Sequence, residues 1–376
     1  MSNRIVEVSR QSWGSRIMSS FMGVIFGILL FFGSFIVIWR NEGRTNLADV
    51  AQDSIAISAA TVDNSADGEM VAASGVLAAA EPLGDPEFLQ PGSYLELERN
   101  VEIYAWVERS SSNTETNTGG SSTTTTEYTY EKTWTSNPAN SANFKEPAGH
   151  ENYDLTINEA SFTASSASVG AYAVDLNQLA LPSSQPVALS QANVVADSGF
   201  DVVGEYLFLG TGSLQQPAVG DVRISYRAVP SGQDVTVFGK QEGGRIVPYL
   251  HRGEDMLYSA HVGTREMGIA AMDAAHRTST WIFRVVGFVM MWIGLSLILG
   301  PISTFLDVLP FLGNLSRGMI RIVTFAFSFV VALIAIIVSA ILQSVIGLII
   351  IGLAAVGIAV FFYMRSKNQL PKASVA

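Results

Sequence analysis

Two short stretches place a histidine among carboxylates. His150 stands in "PAGHENYD" with Glu151 and Asp154, and His251 stands in "HRGED" with Glu254 and Asp255. An imidazole beside a carboxylate can do general acid–base work, and the same groups can ligate a divalent cation. The chemistry open to them is hydrolysis or lipid modification by a membrane-bound enzyme. The plainer reading is a pair of solvated loops, because carboxylates fall near any histidine in so acidic a region. No other catalytic pattern accompanies them: GxSxG, GxxxxGK[ST] and HExxH are all missing. "GTGSLQ" (210–215) lacks the last glycine of a dinucleotide loop and lies between strands rather than before a helix. The chain has no cysteine, which rules out thiol nucleophiles, cysteine metal sites and disulfides. No catalytic residue, cofactor-binding residue or metal ligand is therefore assigned, no cofactor is expected, and the chain reads as a non-enzyme.

Two further charges, Arg284 and Asp307, lie beside long apolar runs, where an ionised group is a functional candidate by default. A channel or transporter would use them inside a polar path. Both, however, sit near the ends of apolar runs, where snorkelling removes the cost. Met18 to Trp39 has no charged residue, Val285 to Gly300 is apolar, and Ile322 to Tyr363 continues without a charge for about two membrane thicknesses. Gln343 and Ser344 mark a reversal in that last run. The pattern predicts four spans, one early and three late. The first is a retained anchor rather than a signal peptide, because its apolar core is long and no small-x-small pair precedes "WRNEGR".

Charge predicts orientation. Residues 45–280 carry 30 acidic and 11 basic side chains, net −19; the remainder carries 3 and 11, net +8, and the two sum to the chain's −11. The outlying basic residues cluster at Arg4, Arg10 and Arg16, at Arg317 and Arg321, and at Arg365, Lys367 and Lys372. Positive residues in short flanking segments stay in the cytoplasm. The expectation is an inner-membrane protein with cytoplasmic termini and an extracytoplasmic domain. Residues 1–44 form a tail and first span, 45–280 the domain, and 281–376 three spans and a C-tail. The acidic balance argues against nucleic acid as a partner.

The central block reads as a β-rich α+β domain. "SYLELERNVEIYAWVE" (93–108) and "EYTYEKTWTS" (127–136) alternate apolar and polar positions, as half-buried strands do, and predict a long hairpin. The Ser/Thr-rich stretch between them, 109–126, reads as its solvated tip, and residues 160–203 give no clear pattern. Short strands follow at 204–210, 220–229 and 233–241, the last two joined through "VPSGQD" as a hairpin. Residues 255–281 gain helix formers and lead into the second span. Tyr104, Trp106, Tyr128 and Trp134 could line a ligand surface or pack across strands.

The first span ends in "WRNEGR". Asn41, Glu42, Gly43 and Arg44 read as a structural collar. In it Gly43 takes a left-handed helix-ending turn, Glu42 pairs with Arg40 or Arg44, and Asn41 bonds freed backbone groups. Gly23 and Gly27 form a GxxxG that lets a second helix approach closely, either within the chain or between copies; Gly347, Gly352 and Gly357 recur in the last span.

"NEGR" (41–44), "VEIYAWVE" (101–108), "TEYTYEKTWTS" (126–136), "NFKEPAGHEN" (143–152) and "VGDVRISY" (219–226), in this order and with one span before and three after, resemble the transmembrane protein 43 (LUMA) family. The resemblance covers about residues 30–300 and is poorest at 109–126 and 160–203. It implies a four-span protein with a large domain outside the cytoplasm. Eukaryotic members resemble scaffolds that self-associate and contact emerin and lamins. Without a nuclear address, this chain is similar to a prokaryotic member, and those nuclear partners do not carry over. The resulting expectation is a membrane scaffold or sensor that binds the bilayer, other membrane or extracytoplasmic proteins, and copies of itself.

Overall fold

The computed structural model describes residues 4–196, 199–307 and 310–343. The chain divides into two compact units: one comprises residues 1–8, 46–113 and 124–276, the other 9–45, 114–123 and 277–376.

The first unit is built on two sheets. In the first sheet the strand order is Arg4–Gln11, Ser122–Thr135, Tyr94–Thr116, Val222–Pro230, Tyr206–Leu209 and Asp201–Val203. From Leu95 to Ala105 every second residue of Tyr94–Thr116 points inward, so Leu97, Val101, Ile103 and Ala105 are buried, with Ile224 and Leu207 from neighbouring strands beside them. The second sheet runs Ser259–Val262, Gln233–Glu242, Arg245–Val247, Tyr172–Val174, Ala167–Val169, Met70–Ala79 and Ile55–Ser58. Its apolar face, with Val71, Leu77, Val169, Val235 and Val237, forms one core with Leu95 and Val229 of the first sheet. The β-rich α+β architecture expected for the domain is thus present.

Three local expectations change. The Ser/Thr-rich stretch is mostly strand: the hairpin continues through Thr116 and resumes at Ser122. Threonine is a good strand former, and backbone pairing needs no apolar side chain. The turn is only Asn117–Ser121, where Asn117 N–H reaches the Ser121 carbonyl at 2.7 Å and Gly119 and Gly120 have φ +86° and +81°. "VPSGQD" turns the chain, but its flanking strands enter different sheets; Gly232 N–H and Ser231 Oγ bind Leu77 and Ala79 instead. Residues 255–262 are two short strands, Asp255–Leu257 and Ser259–Val262, and the helix begins at Arg265.

The second unit holds apolar helices. The helices in chain order are α1 (Trp13–Glu42), α2 (Leu47–Gln52, in the first unit), α3 (Arg265–Ile298), α4 (Gly300–Leu306) and α5 (Pro310–Gln343). Among the described residues three segments are long and apolar enough to cross a membrane, lying in α1, α3 and α5. The fourth expected span, with Gly347, Gly352 and Gly357, lies outside the described residues. Ser12 caps α1 by accepting the Ser15 N–H.

The N-terminal residues differ from a free cytoplasmic tail. Arg4–Gln11 joins the first sheet as a neighbour of Ser122–Thr135. Arg4 pairs with Glu127 at 2.6 Å and Glu7 with Lys145 at 3.0 Å.

Candidate functional site

The collar of the first span and the aromatic face of the first sheet hold most of the residues singled out in sequence. At the collar, α1 ends as Gly43 N–H reaches the Trp39 carbonyl and Arg44 N–H the Asn41 carbonyl. Gly43 has φ −91° and ψ 4°, so no left-handed turn occurs. What requires glycine there is space: a Cβ would collide with the Gln343 side chain, whose amide donates to the Trp39 carbonyl. Glu42 pairs with neither Arg40 nor Arg44. Its carboxylate takes two bonds from Arg284 of α3, at 2.7 and 2.8 Å, with Glu42 5% and Arg284 23% exposed. Asn41 donates to the Thr280 carbonyl at 3.1 Å, and the Arg44 guanidinium lies 5.6 Å from the Phe283 ring centroid. The collar is therefore a joint between α1 and α3. A bidentate carboxylate–guanidinium pair is the strong form of the interaction and satisfies two charges that lipid would not.

Asp307 is paired at the other end of α1. Arg16 Nη2 meets it at 2.6 Å, with Asp307 1% exposed, and the same guanidinium donates to the Gly120 carbonyl at the hairpin tip. Trp13 lies against Gly120 and donates to the Thr304 carbonyl of α4 at 3.0 Å. From sequence, Arg284 and Asp307 are expected to snorkel from the ends of apolar runs. Each has a partner on α1, and Arg16 and Glu42 stand 26 residues, about 39 Å, apart along it. Between them, Gly27 packs on α3: a Cβ there would meet the Gly294 carbonyl at 2.7 Å, whereas one at Gly23 would meet only Leu297 at 3.7 Å. The close approach allowed by GxxxG is used within the chain.

On the sheet, the four aromatic residues separate into two roles. Trp106 is bound by the segment 144–152. Asn152 accepts the Trp106 N–H at 2.7 Å and donates to its carbonyl at 2.9 Å, so a side-chain amide continues the ladder where the neighbouring strand has ended. His150, 1% exposed, stacks on Tyr130 at 4.0 Å, meets Trp106 edge-on at 4.7 Å, and contacts the Glu146 carbonyl through Nδ1 at 2.9 Å. Tyr130 donates to Glu108 at 2.6 Å and accepts from Glu146 N–H. Glu151 is taken by the Gly149 N–H, which lowers its pKa. "NFKEPAGHEN" is thus a strap with a histidine packed inside it. His251 and Asp255 face each other across a tight hairpin whose turn residues Arg252 and Gly253 have φ 53° and 78°. Among the described residues no group of three or more metal-ligating side chains converges.

Tyr104 and Trp134 form a half-exposed ladder. Their centroids are 5.3 Å apart, and Arg223 lies 4.5 Å over both Trp134 and Tyr206 while bonding Glu102 at 2.7 Å. Lys132 sits over Trp106 at 4.6 Å. Tyr128 points its hydroxyl to Glu7 and carries Lys145 on its ring.

Two groups escaped sequence reading. Arg99 is buried with Asp85, at 2.8 Å, and Tyr226 donates to the same carboxylate at 2.6 Å; burial foremost, then Asp85, pushes the Tyr226 hydroxyl upward. The available signal was parity: Arg99 falls on the inward register of Leu97 and Val101 and must be paired there. Asp221, 2% exposed, accepts from the N–H groups of Thr211, Gly212 and Ala218. The amides of "GTGSLQ" are occupied by an internal carboxylate rather than held open for phosphate.

A family model described as Transmembrane protein 43 matches residues 103–345. Transmembrane protein 43 of Rattus norvegicus is 28% identical over 331 residues, covering 82% of this chain and 80% of that protein. The Homo sapiens protein is 29% identical over 339 residues with the same coverage. The Drosophila melanogaster homolog is 27% identical over 291 residues, covering 72% of this chain and 75% of its own. No solved structure matches.

Glu42→Ala should lower the stability of the detergent-solubilised chain by about 2–3 kcal/mol, because Arg284 is left without its carboxylate. Adding Arg284→Met should recover part of that loss in thermal unfolding; independent, additive losses would deny the coupling. Gly27→Leu should cost about 1–3 kcal/mol by forcing α1 from α3, while Gly23→Ala is tolerated. An unchanged melting temperature with an altered oligomeric state for Gly27→Leu would instead assign that glycine to self-association.

Proposed function

The chain belongs to the Transmembrane protein 43 family, and from that premise we propose that it is a non-enzymatic membrane scaffold or sensor whose large domain docks a partner protein or peptide. The observation that supports this reading is the ladder of Tyr104, Trp134, Arg223 and Tyr206. These side chains are half-exposed yet fixed: the guanidinium is sandwiched between two rings and held by Glu102. Rigid aromatic and arginine side chains bind with little entropy loss and dominate interface energies. The groups that could have favoured catalysis have structural partners, with His150 inside the strap and Glu151 on Gly149.

The apolar helices tie this face to a bilayer, so a partner docked on it is gathered at the membrane. Self-association of the scaffold uses surfaces other than Gly27, which is occupied by α3. Lysine-reactive crosslinking in native membranes should link Lys132, beside the ladder, to a second protein. A Trp134→Ala, Arg223→Ala double variant should reduce those links about tenfold or more, as expected for loss of interface anchors. Recovery of wild-type chain alone as a monomer, in mild detergent and in the crosslinked sample, would refute the scaffold reading.

A further inference from the structure

We infer that the helical unit carries a binding site for an anionic phospholipid, with Arg321 holding the phosphate. The site is a cavity of about 450 Å³ lined by residues of α3, α4 and α5, among them Trp292, Ser296, Leu297, Ser303, Ile320 and Arg321. Leu297 and Ile320 offer an acyl chain an apolar wall, and Ser296 and Ser303 bring hydroxyls to the same space. Arg321 is exposed, and among the described residues no carboxylate pairs with its guanidinium.

Its depth fits a headgroup. At the far end of α5, Gln343 donates to the Trp39 carbonyl, and 22 residues of helix separate Gln343 from Arg321. That is about 33 Å, close to one hydrocarbon thickness. Ser303, in the same cavity, belongs to α4, which packs against the Trp13 end of α1 through Thr304 and Phe305. Arg321 and Ser303 therefore stand at one edge of the apolar slab, while Trp39 and the Glu42–Arg284 pair stand at the other. Trp292 has the amphipathic ring typical of this level, and its Nε1–H donates to the Arg321 carbonyl at 3.3 Å.

A basic group between helices, at the boundary of an apolar slab and with acyl-compatible walls, selects a lipid phosphate rather than a soluble anion. A free phosphate would use the guanidinium and leave the apolar wall exposed. Phosphatidylcholine carries its own cation beside the phosphate, so an anionic headgroup gains more from Arg321.

Arg321 fixes Trp292 through its backbone, and that bond survives substitution of the side chain. The full chain, delipidated in detergent, is titrated with dioleoyl-phosphatidylglycerol or dioleoyl-phosphatidylcholine and read by native mass spectrometry. The wild type should hold one phosphatidylglycerol at about tenfold lower concentration than phosphatidylcholine, the difference of one charge-assisted contact. Arg321→Gln should abolish that preference, and Arg321→Lys, which keeps the charge, should retain part of it. Both variants should elute and melt like the wild type, and millimolar inorganic phosphate should leave the lipid in place. Equal retention of the two lipids by the wild type, an undiminished preference in Arg321→Gln, or displacement by inorganic phosphate would each overturn the site.

Discussion

A charge at the end of an apolar helix that packs against other helices needs a partner, and two such partnerships at the ends of α1 organise the helical unit. Glu42 binds Arg284 of α3, and Arg16 binds Asp307 just after α4. Each ion alone would cost several kcal/mol to bury. Paired, they tie one end of α1 to α3 and the other to the residue that follows α4. The intervening helix surface then has one face to give. Gly27 and Ile38 are buried on it, Gly27 against Gly294 and Ile38 against Gly287, so close backbone approach follows from where the charges have been placed.

The same economy governs the first unit. Buried polar groups there occur in closed sets: Asp85 with Arg99 and Tyr226, Asp221 with three backbone N–H groups, and His150 with Tyr130, Trp106 and the Glu146 carbonyl. Each set satisfies donors that an apolar core would strand. In these sets Asp85, Asp221 and His150 hold loops and strands in place, while Tyr104, Trp134 and Arg223 stand half-exposed on the first sheet beside Glu102.

What was legible in the sequence follows from the range of the forces involved. Alternation along 93–108 and the long uncharged runs are local signals: a strand stands at the first, and three of the four expected apolar helices stand among the described residues. The aromatic side chains on the hairpin were found for the same reason. The partner of Glu42 was not, because Arg284 is distant in sequence and the near arginines at positions 40 and 44 satisfied every local rule. A left-handed turn is the common reason for a glycine after a helix; the constraint on Gly43 is instead Gln343, three hundred residues away. The Ser/Thr-rich stretch has nothing to bury and so resembles a loop in sequence, yet strand pairing is a backbone property. Charge counting concerns the side a segment prefers, and it cannot register that Arg4–Gln11 has a strand to pair with.

The stretches that carry the family resemblance are the joints of the molecule. "NEGR" couples α1 to α3 through Glu42 and Asn41. "VEIYAWVE" supplies Trp106 and Glu108, and "NFKEPAGHEN" closes on both, Lys145 N–H reaching Glu108 and Asn152 reaching the Trp106 backbone. "VGDVRISY" contributes Asp221 to a loop clamp and Arg223 to the ladder. Among the described residues of these stretches, the buried polar and charged side chains stand where one segment is tied to another.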